Sequence, residues 1–102
     1  MPMYGSIFRM KVTSGKESEL LAVFEKWERE RKPKVAGSVA SYVLKSDKTP
    51  GEYIGVAVFK DKKSYMANAK DPEQDKWYRQ MRSLLQSDPE WNDGEYVFAE
   101  LS

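Results

Sequence analysis

The sequence predicts an α+β fold of order β-α-β-β-α-β, the ferredoxin-like arrangement of an antiparallel sheet with its helices on one face. Three observations predict it. Apolar residues alternate with period two in separate short segments, they recur at three and four residues in the stretches between, and a turn-rich segment joins the middle two strands as a hairpin.

The first strand spans residues 4–12, with Tyr4, Phe8, Met10 and Val12 on one side and Gly5, Ile7, Arg9 and Lys11 on the other. Ser14-Gly15-Lys16-Glu17 reads as a capping box, the Ser14 hydroxyl placed to accept from an early helix N–H and Glu17 placed to reach back. Leu20, Val23, Phe24 and Trp27 then form one apolar helical stripe, which Pro33 and Gly37 end. Residues 39–45 and 53–59 are rich in β-branched and aromatic side chains and flank a turn at 46–52. Asp61 caps a short helix carrying Tyr65, Met66 and Ala69. Asp71-Pro72-Glu73-Gln74 restarts the chain with an N-cap, a proline at the first helical position and a glutamine at the third; Trp77, Met81, Leu84 and Leu85 line one side of this second piece. Residues 87–94 read as punctuation, with Trp91 and Asn92 in a turn, and 95–101 as the closing strand.

Both faces of the predicted sheet are apolar. In the third strand Tyr53, Ala57 and Phe59 oppose Ile54, Val56 and Val58, and in the last Tyr96 and Phe98 oppose Val97, Ala99 and Leu101. Helices cover one face, so the other is expected to meet a second copy, giving a homodimer.

At 102 residues the chain is expected to be a single domain, residues 1–102. A net charge of +1 supplies no field for nucleic acid or an anionic membrane, and the run from Glu25 to Lys32 mixes both signs as a solvated helix face does. Apolar runs are too short for a membrane span, and a cytoplasmic location is expected. Histidine and cysteine are both absent. That removes the imidazole base, the Ser-His-Asp triad, histidine-ligated haem or zinc, thiolate nucleophiles and disulfides. The acidic residues sit mostly at caps and on charged helix faces, and the scattered glycines fit no phosphate-binding loop, so neither a metal nor a nucleotide is expected.

What remains is a concave space between helices and sheet. Candidate lining residues are Trp27 from the first helix, Tyr42 and Phe59 from the hairpin, Tyr65, Met66 and Asn68 from the first helical piece, and Trp77, Tyr78, Met81 and Arg82 from the second. Each also has a plainer reading. Trp27, Trp77 and Met81 at helical spacing serve a core, Tyr78 and Arg82 form a surface pair one turn apart, and Asn68 caps its helix.

The junction Val58-Phe59-Lys60-Asp61 leading to Tyr65, the Asp71-Pro72 restart, and Trp77-Tyr78 with the closing Asp93-Gly94-Glu95-Tyr96-Val97 together resemble the antibiotic biosynthesis monooxygenase (ABM) domain family over nearly the whole chain. The resemblance implies a dimeric α/β barrel with one pocket per subunit, whose best-studied members oxidise quinols or polycyclic aromatic molecules with dioxygen and no cofactor. It implies further that Asn68, Trp77, Tyr78 and Arg82 surround the substrate, Tyr78 as hydrogen-bond donor or proton acceptor and Arg82 as stabiliser of an oxyanion. The haem-degrading branch of the superfamily needs asparagine, tryptophan and histidine at places that fall near Phe8, Asn68 and Tyr78. All three depart from that pattern, so haem degradation is not expected. Two readings stay open: a cofactor-independent monooxygenase of quinol-like or polycyclic aromatic small molecules, and a non-catalytic small-ligand-binding or stress-related protein of the same architecture.

Overall fold

A computed structural model describes residues 2–100. The period-two segment becomes β1 (Tyr4–Lys11), whose inward residues Ser6, Phe8 and Met10 are buried while Ile7, Arg9 and Lys11 are exposed. Val12 follows β1 and bridges Leu85. The hairpin forms β2 (Ser38–Lys45) and β3 (Glu52–Phe59), and β4 (Glu90–Glu95) completes a sheet of order β2-β3-β1-β4. Every paired neighbour is antiparallel, with Phe8 opposite Gly55 on one side and Trp91 on the other. This is the ferredoxin-like order.

Three α-helices lie on one face: α1 (Glu17–Lys26), α2 (Lys62–Ala69) and α3 (Pro72–Arg82). The core sits between them and the sheet, built from Phe8, Met10, Leu20, Tyr53 and Met81 together with Val12, Leu84 and Leu85. As their sequence predicts, α2 and α3 are separate pieces. Asp61 Oδ1 accepts from Ser64 N at 2.8 Å, and Asp71 Oδ1 accepts from Glu73 N at 2.9 Å, with Pro72 at the first turn where a missing N–H costs nothing.

Three local expectations are corrected. The Ser14 capping box does not form: α1 is preceded by Lys16 with no side-chain cap, and the chain enters through a turn in which Lys16 N donates to Thr13 O at 3.0 Å. Gly15, at φ +85°, supplies the left-handed residue that this turn requires. The last strand runs over Glu90–Glu95 rather than 95–101, so Trp91 and Asn92 lie in a strand and not in a turn. Backbone pairing with β1 overrides the turn propensity of Asn92-Asp93-Gly94, because an edge strand leaves those polar side chains in water. Tyr96 N still donates to Met3 O at 2.9 Å, but residues 97–100 are unpaired with the sheet, and Leu101 lies outside the described residues. Finally, the mixed-charge run is not wholly solvated, since Arg31 is buried.

The reason lies in how α1 ends. Pro33 has no N–H to give, and its ring crowds the carbonyl four residues back. The helix widens into a π-helical segment, Trp27–Arg31, in which Lys32 N reaches Trp27 O, and then closes in a 3₁₀ turn, Lys32–Lys34. Trp27 and Arg31, four residues apart, share one side of this segment.

Candidate functional site

A cavity of about 420 Å³ opens between the sheet and the helices. Its floor is laid by the strands, because the pleat sends Ser6 and Phe8 of β1, Ala57 and Phe59 of β3 and Trp91 of β4 to the helix side. Phe24 and Trp27 close one wall, and Trp77, Tyr78 and Met81 close another. Tyr65, Asn68 and Gln74 bring polar groups to the junction of α2 with α3. A largely apolar concavity with a few polar groups is the usual form of a small-molecule site.

The aromatic walls are held edge to face. Trp77 stands 5.3 Å from Phe24 and 6.4 Å from Trp27 between ring centroids, and Tyr65 stands 5.5 Å from Phe59. Both indole N–H groups of this wall are spent on protein: Trp27 Nε1 donates to Gln74 Oε1 at 2.8 Å and Trp77 Nε1 to Val23 O at 2.9 Å. At the C-terminal end of α2, Arg31 donates from one terminal nitrogen to Asn68 Oδ1 at 2.8 Å and approaches Asp71 Oδ2 at 3.4 Å. Its Nε is buried without a partner.

The tyrosines hold their protons. Burial, and after it the Asp93 carboxylate that accepts from its hydroxyl at 3.2 Å, push Tyr65 up to about 12. The buried Ser6 hydroxyl stands close enough to Tyr65 to favour the phenolate slightly, yet no hydrogen bond of good geometry joins the two, leaving Ser6 Oγ unpartnered. Tyr78 is raised as well, first by burial and then by Asp88, with Arg82 opposing. At neutral pH both are donors and neither is a base.

Of the residues singled out in the sequence, the fold brings Trp27, Phe59, Tyr65, Asn68, Trp77, Tyr78 and Met81 to this cavity. Three lie elsewhere. Tyr42 pairs across from Val56 on the opposite face of the sheet and is 60 % exposed, because a one-residue offset in a strand reverses the face. Met66 points outward from α2, 38 % exposed. Arg82 is drawn away by Asp88, Nε to Oδ1 at 2.6 Å, and by Leu85 O at 3.2 Å. Other lining residues escaped the sequence reading. Phe8, Phe24 and Ala57 read as core, Ser6 sat in the polar gap of β1's apolar side, Gln74 looked like a helix-start residue and Trp91 like part of a turn. Arg31, which reaches the site only through Asn68, was hidden in a run of alternating charge. Among the described residues, no group of three or more acidic side chains stands together to hold a metal, and no helix is long and apolar enough to cross a membrane.

The molecule closely matches solved structures. A Caulobacter crescentus protein provisionally named an antibiotic biosynthesis monooxygenase superposes with a TM-score of 0.83 at 16 % identity, covering 95 % of this chain and 92 % of that one. A similarly named protein of Chloroflexus aurantiacus gives 0.76 at 22 % identity, with 96 % of each chain covered. SnoaB, a cofactor-independent oxygenase from Streptomyces nogalater solved as an asparagine-to-alanine mutant, gives 0.82 at 16 % identity over 97 % of both. No curated protein sequence matches the chain. At these identities the superpositions establish the fold. The sequence itself matches the family model for antibiotic biosynthesis monooxygenase over residues 3–80, and with that match spanning most of the chain the protein belongs to the antibiotic biosynthesis monooxygenase family.

Proposed function

We propose that the protein is a cofactor-independent monooxygenase of quinol-like or polycyclic aromatic small molecules, working as a homodimer with one cavity per subunit. The observation that carries this reading is the cavity of about 420 Å³, whose aromatic walls suit a flat ring system and whose lining tyrosines keep their protons and can donate. A ring-activated C–H or phenol O–H gives up its proton to water, and the resulting anion passes one electron to dioxygen. The radical pair joins as a C–O–O⁻ peroxide, which takes a proton back from water to become a hydroperoxide on a carbon that still bears hydrogen, and loss of water from it leaves a carbonyl. The substrate carbon supplies all four electrons; one oxygen atom ends in the product and the other in water.

In this reaction the protein orients the substrate, excludes water and stabilises negative charge on a substrate oxygen. Trp77 and Phe24 provide the flat contact. Tyr78, held protonated, serves as hydrogen-bond donor rather than as proton acceptor. The oxyanion role implied for Arg82 falls instead to Asn68, since Arg82 is engaged with Asp88. A binding-only role is favoured by one observation: the tryptophan N–H groups are committed to protein and the lining tyrosines are poor bases, so a ligand that does not ionise by itself meets no proton acceptor among them.

Oxygen-electrode assays with a panel of quinols and anthrones separate the two. Uptake that falls at least about ten-fold in Tyr78→Phe and Trp77→Phe, both still folded, supports catalysis. No uptake across the panel, with saturable quenching of tryptophan fluorescence by the same compounds, establishes binding alone.

A further inference from the structure

Resting on that reading of the cavity, we propose that the π-helical segment Trp27–Arg31 is a positioning device that sets two side-chain amides, Asn68 and Gln74, as a pair of N–H donors for a ligand carrying acceptor oxygens. An indole N–H and a guanidinium donate hydrogen bonds and accept none. Trp27 Nε1 donates to the amide of Gln74 at 2.8 Å, and Arg31 donates to that of Asn68 at 2.8 Å. In each case chemistry requires the amide oxygen to face the donor, which settles the orientation of a group whose two ends are otherwise alike in shape. The NH₂ end of each is then left for the cavity that both residues line.

The same segment supplies both donors, four residues apart. Side chains four residues apart share one side of a helical segment, so Trp27 meets α3 while Arg31 meets the end of α2. Arg31 is buried to 8 % exposure with its Nε unpartnered, an unfavourable setting for a guanidinium if its only task were to support packing. Asp71 Oδ2, 3.4 Å away, balances its charge and leaves the shorter bond to Asn68. The ligand class follows. Two donors lining one aromatic cavity select a ring system with carbonyl or phenolate oxygens over the same hydrocarbon without them.

The test compares menadione, a naphthoquinone, with 2-methylnaphthalene, each titrated against tryptophan fluorescence. Asn68→Asp and Gln74→Glu keep an oxygen toward Arg31 and Trp27 but replace the inward donor with an acceptor. Each should bind menadione about ten-fold or more weakly, with 2-methylnaphthalene little changed. Arg31→Met should weaken menadione selectively as well, and Arg31→Lys should recover part of the loss. Equal weakening of both compounds, or of neither, overturns the proposal. If neither compound quenches the wild-type protein, the proposed function fails and the device is decided without ligand, by the side-chain amide signals in ¹H–¹⁵N spectra. Arg31→Met must then move those of Asn68, and Trp27→Phe those of Gln74; signals that stay in place overturn it.

Discussion

Two glycines set how closely β1 and β3 approach, and they do so by different means. A Cβ on Gly55 would fall 2.2 Å from the Phe8 ring, on the cavity side, so any side chain there must turn Phe8 aside. Phe8 in turn stands 4.6 Å from Trp91, and both belong to the cavity floor. A Cβ on Gly5 would fall 1.8 Å from the carbonyl oxygen of Ala57, which has no flexible end to move. The same carbonyl accepts from the Tyr96 hydroxyl at 2.8 Å, with the Tyr96 ring lying over Gly5. Gly55→Ala should therefore cost about 1–3 kcal/mol, the usual range for overpacking, and reduce binding of cavity ligands. Gly5→Ala should cost more, because the strand itself must shift and Tyr96 must lift. Chemical denaturation of the two variants checks the order; Gly5→Ala as stable as Gly55→Ala would refute it.

At the scale of elements, the helix starts govern the response to acid. Asp61 is held below its ordinary carboxylate value first by the backbone N–H of Ser64, and Asp71 first by that of Glu73, with Arg31 adding to the latter. Carboxyls depressed in the fold stabilise it above their unfolded value of 3.8, and that contribution is lost as pH falls through the lower folded values. Thermal unfolding followed from pH 6 downward should show a loss of Tm below about pH 4, smaller in the Asp61→Asn, Asp71→Asn double variant; an unchanged slope would remove the caps from the account. Those two caps were legible because Asp followed by Lys-Lys-Ser or by Pro is a local signal read by the first helical turn. The strands and the stripe of Trp77 and Met81 were legible for the same kind of reason, a period repeated over several residues. The capping box at Ser14 and the position of β4 were misread because each depends on something distant: the turn into α1 is closed by Gly15, and Asn92-Asp93-Gly94 are extended by pairing with Ile7, Ser6 and Gly5. At the site, helical spacing placed Trp27, Trp77 and Met81, whereas Tyr42 and Trp91 were misplaced because their faces depend on strand register. Arg31, Ser6 and Gln74 were not legible, since they acquire their places only when three elements meet.

The whole molecule has one face without a cover. Opposite the helices, Ile7, Tyr42 and Leu44 are 44 %, 60 % and 55 % exposed, beside Ile54, Val56 and Val58 of β3. Past β4 the chain carries Val97 and Phe98, 94 % and 78 % exposed and outside any strand pairing among the described residues. A contiguous apolar surface of this kind is unusual on a monomer and common where copies meet. Arg9, between Glu52 at 3.5 Å and Glu90 at 3.8 Å, gives the patch a charged rim as interfaces have. Sheet-to-sheet dimerisation, with residues 97–100 reaching across to the partner, would bury all of it. Sedimentation velocity should therefore give a dimer at micromolar concentration, and a Tyr42→Glu, Leu44→Glu double variant should give a monomer of lower Tm. Because the cavity lies on the helix side, opposite the exposed face, that monomer should still be quenched by menadione, weakened only as far as the sheet beneath Phe8 and Ala57 loosens. A wild-type protein that stays monomeric would leave the exposed face unexplained and the dimer rejected. A dimer whose dissociation abolished binding would move part of the site into the interface.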